Sequence, residues 1–244
     1  MATKPTITGL EIEFDASLLG GTYSDGDTST TWNDESGNAN HATGVVTPKY
    51  EATGWVPTND GAVRISAGAQ PEDHFTFTGA FASTNMTWFV VGEVGANGIQ
   101  FVGGSASQSH KNLHISVEAD GRVLARLYDL GDGSDDLTSA AGLADEGDFV
   151  CISYRHDSGA GKILRLNKVE VADSAGTDGL VDWPDPYIAR LQSATARDSR
   201  IAWISGYTTA ASDAQIVDME AYLYERFGLP YPPPALLSAV RWFT

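Results

Sequence analysis

Thr31-Trp32-Asn33-Asp34-Glu35-Ser36-Gly37-Asn38-Ala39-Asn40-His41-Ala42 sets one large ring ahead of a run of short polar side chains centred on Gly37. This is the pattern of a strand running into a tight loop whose side chains satisfy its own backbone. Trp32 is the expected core anchor of that loop. Asp34, Ser36 and Asn38 are expected to cap its N–H groups rather than hold a metal.

Away from this loop the chain reads as short strands broken by Gly, Asp, Asn and Ser, with 26 glycines to supply turns. The clearest hairpin spans Leu113 to Asp129. Leu113, Ile115 and Val117 alternate with His114, Ser116 and Glu118, Asp120-Gly121 turns the chain, and Val123, Ala125 and Leu127 return. The first set should face a core and the second set water. Thr87-Trp88-Phe89-Val90-Val91 is apolar on both faces, as a central strand requires, and Phe149 to Tyr154 has similar character. Lys162 to Val171 reads as a second hairpin, and Ile201 to Ile204 as a late buried strand. One helix is well marked. Ser212 and Gln215 form a capping box, Ile216, Met219, Leu223 and Phe227 fall on one stripe, and Gly228 with Pro230 ends it. It is expected against the edge of the sandwich.

Several of these segments, taken in order, resemble a laminin-G-like, concanavalin A-like domain of the kind found in bacteriophage and bacterial proteins. The loop after Trp32 is similar to the family's W-x-D-x-S-G-N-x-x-H-A segment. Met86 to Val91 is similar to its central strand, and Leu164 to Val171 to its "lyvNGvev" hairpin, with Lys168 where glycine is usual. Arg200 to Ile204, followed by Glu220-Ala221-Tyr222-Leu223 through Gly228-Leu229, resembles the strand and helix that close the domain. The resemblance implies an all-β fold: a concanavalin A-like jelly-roll sandwich of two antiparallel sheets with one C-terminal helix. The resemblance covers roughly residues 8–229, and 1–229 is read as one domain, leaving 230–244 as a Pro-rich, then apolar tail. That fold hosts lectins, enzymes and passive modules alike, so activity has to be argued from a site.

Composition narrows the partners. With 42% hydrophobic residues in 244, the chain can bury a sizeable core. Fifteen basic against 32 acidic residues give a net charge of −17, which opposes binding to a phosphate backbone, so no nucleic-acid partner is expected. No apolar run is long enough to cross a bilayer as a helix, and no membrane insertion is expected. Met1 to Pro5 has neither the basic nor the apolar region of a secretory leader. Cys151, the single cysteine, lies in a strand-like run and is expected to be a buried, inert thiol.

Three kinds of site are candidates. A glycoside hydrolase needs two carboxylates on one face, about 5–5.5 Å apart in retaining enzymes. Glu11/Glu13 and Glu118/Asp120 have the spacing but sit near turns or edges among polar neighbours, so no catalytic residue is assigned. Asp129, Asp132, Asp135 and Asp136 place four carboxylates in eight residues, an oxygen-rich loop that could hold calcium, the one cofactor considered. Sugars stack on rings beside polar groups, and Asp182-Trp183-Pro184-Asp185-Pro186-Tyr187 offers two rings and two carboxylates on a proline-framed loop. Trp183, Tyr187, Asp182 and Asp185, with Trp55, form the candidate sugar site. In the tail, Pro232-Pro233-Pro234 is expected to be extended, and Leu236, Leu237, Val240, Trp242 and Phe243 are too apolar to remain in water, so they are expected to contact another subunit or a particle.

The resulting expectation is a non-enzymatic structural or adhesive module of a bacteriophage virion: a capsid decoration, head fibre or tail adhesin. Its partners would be other virion proteins, copies of itself and a cell-surface glycan. The alternatives are an extracellular lectin module and a polysaccharide-active enzyme.

Overall fold

A computed structural model describes residues 2–65, 73–77, 81–96, 98–104, 112–129, 133–176, 181–183, 186–188 and 199–230. Two antiparallel eight-stranded sheets form a sandwich. The first sheet runs β15 (Val169–Ser174), β14 (Gly161–Leu166), β13 (Phe149–Asp157), β8 (Met86–Glu93), β18 (Ser199–Tyr207), β5 (Asp60–Ile65) and β4 (Lys49–Trp55). β1 (Leu10–Asp15) also pairs with β18. The second runs β12 (Gly133–Thr138), β11 (Val123–Asp129), β10 (Asn112–Val117), β9 (Ile99–Gly104), β17 (Pro186–Ile188), β6 (His74–Phe77), β3 (Ala42–Val45) and β2 (Thr31–Trp32). A small ribbon pairs β7 (Phe81–Ser83) with β16 (Val181–Trp183).

Alternation places Trp88, Val90, Ile152, Tyr154 and Leu164 of the first sheet in one core with Phe75, Phe101, Leu113, Ile115 and Val123 of the second. The opposite side chains of the central strands, Phe89, Val91 and Cys151, are buried in a second cluster with Ala202 and Trp203. The lid of that cluster is α1 (Asp213–Phe227), which packs Ile216, Met219, Leu223 and Phe227 onto it. The helix therefore covers the outer face of the first sheet rather than its edge, and the molecule has three layers. This is why β8 is apolar on both sides. Burial raises the pKa of the Cys151 thiol, as an inert structural cysteine requires.

The capping box of α1 is formed in full, and Gly228 ends the helix in the left-handed conformation. The turn between β14 and β15 takes positive φ at both Asn167 and Lys168, 50° and 69°. Lys168 tolerates this because its neighbours hold it. Its carbonyl accepts from Arg165 Nη2, and its ammonium lies 4.1 Å from the Tyr224 ring centroid.

The polar loop after β2 closes the free edge of β1. Asp34 Oδ1 accepts from the Glu13 N–H at 2.9 Å and from the Ser36 N–H, while Oδ2 accepts from Ser36 Oγ and the Asn40 N–H. Ser36 Oγ, Asn38 Nδ2 and Asn40 Nδ2 converge on the Glu11 carbonyl. Trp32 anchors the loop from inside, 1% exposed, with Phe14 and Phe75 each 5.5 Å away.

Candidate functional site

Asp182, Trp183 and Tyr187 of the candidate sugar loop lie in strands. Asp182 and Trp183 belong to β16, and Pro186, Tyr187 and Ile188 form β17, inserted between β6 and β9; Asp185 lies outside the described residues. Tyr187 is 4% exposed and lies edge-on between the rings of His74 and His114. A Cβ at Gly103 would collide with its ring. Trp55 is fully buried and donates its indole N–H to the Phe227 carbonyl at 2.7 Å, pegging the end of α1 to the sheet. Neither ring is an open platform.

His114 and Ser116 are buried rather than wet, and Tyr187 explains the burial of His114. On the outer face of the second sheet His114 hydrogen-bonds Gln100 and touches Tyr187, partners that come from distant sequence. Burial, then the Arg126 charge, lowers the His114 pKa from 6.5 to about 4. Between those values the unfolded chain binds a proton that the folded chain does not, so stability falls as pH drops through this window. Denaturant midpoints at pH 7 and pH 5 are therefore expected to differ more in the parent than in His114→Gln. Equal differences would discount His114 as the source.

The four aspartates of the candidate calcium loop fall on the β11–β12 hairpin. Asp129 pairs with Gly133 and Asp135 with Leu127, and Asp132 lies outside the described residues. Asp136 is engaged by the cross-strand Arg126, whose Nε and Nη2 donate to its two oxygens at 2.8 and 2.7 Å. Among the described residues no three His, Cys, Asp or Glu side chains are grouped to hold a metal. The tail residues Leu236, Leu237, Val240, Trp242 and Phe243 lie outside the described residues.

An open cleft of about 380 Å³ lies elsewhere, on the strip of the first sheet near β4. Among the described residues three cations line it from three adjacent strands: Lys49 faces Arg64 across β4 and β5, and Arg64 faces Arg200 across β5 and β18. Like charges directly opposite one another destabilise a sheet unless they are compensated. Arg200 is compensated twice, by Glu51 at 2.6 Å and by its cross-strand partner Glu93 at 2.9 Å. Burial opposes its charge, but these two hydrogen bonds outweigh it and raise the guanidinium pKa. Glu51 also reaches Arg64 at 3.6 Å. Asp25 closes the rim and is fixed by the Ala52 N–H at 2.9 Å. No local motif marked this site, because its charged residues are spread over the chain from Asp25 to Arg200. The register of β4, β5 and β18 is the signal that brings them together.

By sequence, no family profile and no curated protein matches the chain. By structure it is similar to binding domains of botulinum neurotoxins. The receptor-binding domain of type G superposes with a TM-score of 0.63 and 12% identity, over 89% of this chain and 52% of that one. The binding domain of type DC, solved in complex with rat synaptotagmin II, gives 0.62 and 10%, over 88% and 52%. A type C structure, from work on cell entry dependent upon two ganglioside molecules, gives 0.61 and 8%, over 88% and 51%. The chain thus spans about half the length of these structures. At such identities the likeness establishes the fold, a β-sandwich of two antiparallel sheets with a C-terminal helix.

Proposed function

We propose that the protein is a non-enzymatic binding module whose ligand is a glycan, held in the cleft formed by β4, β5 and β18. The carrying observation is the cleft itself. Its volume is at the small end of the range for ligand sites, about 300–1,000 Å³. Among the described residues its polar lining comes from β4, β5 and β18 with Asp25 beside them, and hydrogen bonds hold Asp25, Glu51 and Arg200 in place, which suits hydroxyl recognition. The fold is one that botulinum neurotoxin binding domains carry, and those domains are described as binding receptors and gangliosides. The sequence resemblance to bacteriophage domains supports an adhesive or structural place on a virion, with copies of itself or other virion proteins as further partners. Mass spectrometry of purified particles checks that setting.

A glycan array followed by titration tests the binding. Thr53 is an exposed β4 residue lining the cleft and takes part in none of the ion pairs described above. Thr53→Trp is expected to fill the cleft and abolish binding while leaving the melting temperature unchanged. The bound glycan should keep its mass on prolonged incubation. Binding undiminished in Thr53→Trp would move the site, and cleavage of the glycan would make the protein an enzyme.

A further inference from the structure

Among the described residues four large apolar side chains stand exposed: Leu18, Val46, Val56 and Val217. Scattered singly, such residues would be ordinary surface. Leu18 and Val56, the two most exposed at 56% and 69%, are instead tied to one end of the molecule by Arg226. Its guanidinium donates to Ser17 Oγ, next to Leu18, at 2.7 Å, and to Asp60 Oδ2 at 2.9 Å. Asp60 pairs with Trp55 and so closes the turn that carries Val56, and Thr58 of that turn donates to the same Asp60 oxygen.

The chain leaves α1 at this same end. Trp55 holds the Phe227 carbonyl, a Cβ at Gly228 would lie 2.8 Å from Thr58, and Leu229 is buried in the outer cluster. The sequence that follows, 231–244, sets Leu236, Leu237, Val240, Trp242 and Phe243 against one formal charge, Arg241, opposite in sign to the net −17 of the chain. At about 3.1 Å per residue the stretch from Tyr231 to Pro234 advances only about 12 Å, so the apolar residues begin close to the end where Leu18 and Val56 stand. A tethered segment also meets its own domain at an effective concentration in the millimolar range, well above that of a second copy in dilute solution.

We infer that the surface formed by Leu18 and Val56 is the docking site of this chain's own residues 231–244. The test uses cysteine pairs in the full chain, because Cys151 is buried and its thiol pKa is raised, which keeps it out of disulfide exchange. Val56→Cys is combined in turn with Leu236→Cys, Leu237→Cys, Val240→Cys and Phe243→Cys, and each variant is treated with oxidised glutathione at micromolar protein. At least one pair is expected to close within a single chain, seen as a monomer that has lost two free thiols. It should close roughly tenfold faster than the same tail cysteine closes with Val217→Cys, which lies in the N-terminal half of α1. Adding Leu18→Asp to the fastest pair is expected to slow closure while leaving the melting temperature unchanged. Equal rates at Val56→Cys and Val217→Cys for every tail position would overturn docking at this end. A rate untouched by Leu18→Asp would overturn the shared surface. Disulfide-linked dimers in place of closed monomers would overturn the own-chain occupant and assign the surface to a second copy.

Discussion

Trp32→Ala is expected to destabilise the fold by about 3–5 kcal/mol, the usual cost of emptying a large buried aromatic site. The ring is 1% exposed and wedged between Phe14 and Phe75, which lie on opposite sheets, so the cavity would open between the two sheets. For a domain of this size each kcal/mol moves the melting temperature by roughly 2–4 °C. Trp32→Phe separates packing from polarity. The indole N–H has no hydrogen-bond partner among the described residues, so phenylalanine removes a buried, unsatisfied donor while keeping most of the ring. Its melt should lie much nearer the parent than that of the alanine variant. Thermal melts of the three proteins decide the matter, and an alanine variant as stable as the parent would remove Trp32 from the core.

The second large effect concerns Glu220, a carboxylate on the buried side of α1. It is 1% exposed and accepts from Ser153 Oγ at 2.6 Å and from Arg165 Nε and Nη2 at 2.9 and 3.1 Å. Burial works against the Arg165 charge, and Glu220 more than offsets it, leaving the guanidinium pKa raised. Glu220→Ala is expected to cost about 3 kcal/mol, the lower end for breaking a buried pair, because the Arg165 side chain keeps 18% of its exposure and its bond to the Lys168 carbonyl. Replacing both partners by methionine should recover much of the loss, since an apolar pair leaves no charge stranded. Chemical denaturation of the single and double variants reads this out. A double variant no better than Glu220→Ala alone would show that the pair contributes through geometry and not through burial of charge.

The parts of this molecule legible in its sequence are those fixed by near neighbours. The Asp120-Gly121 hairpin, the capping box at Ser212 and the central strand at Trp88 each follow from turn chemistry or alternation within a few residues. Asp34 was readable for the same reason, since most of its hydrogen-bond partners lie within six residues. What escaped depends on long-range pairing. Pro186-Tyr187-Ile188 looks like a proline-framed loop until β6 and β9 supply hydrogen bonds on both sides. Trp55 looks like a sugar-site ring until the end of a helix 172 residues away reaches its indole. The helix itself announces one apolar stripe, but only the doubly apolar strands β8, β13 and β18 reveal that a face, not an edge, awaits it. The cleft was the least visible feature. Lys49, Arg64 and Arg200 are ordinary surface residues until three strands align them.

The side-chain staple across β1 has a consequence for how this protein can be crowded. An open strand edge is a template, and identical molecules held close together zip along such edges. Here five side-chain hydrogen bonds already occupy that backbone: Asp34 on the Glu13 N–H, and Ser36, Asn38 and Asn40 on the carbonyls of Leu10 and Glu11. A visiting strand could only trade these bonds for others of the same kind, with no net gain. Many copies could therefore stand shoulder to shoulder on a surface without polymerising through this seam, leaving contact between neighbours to be set elsewhere on the molecule.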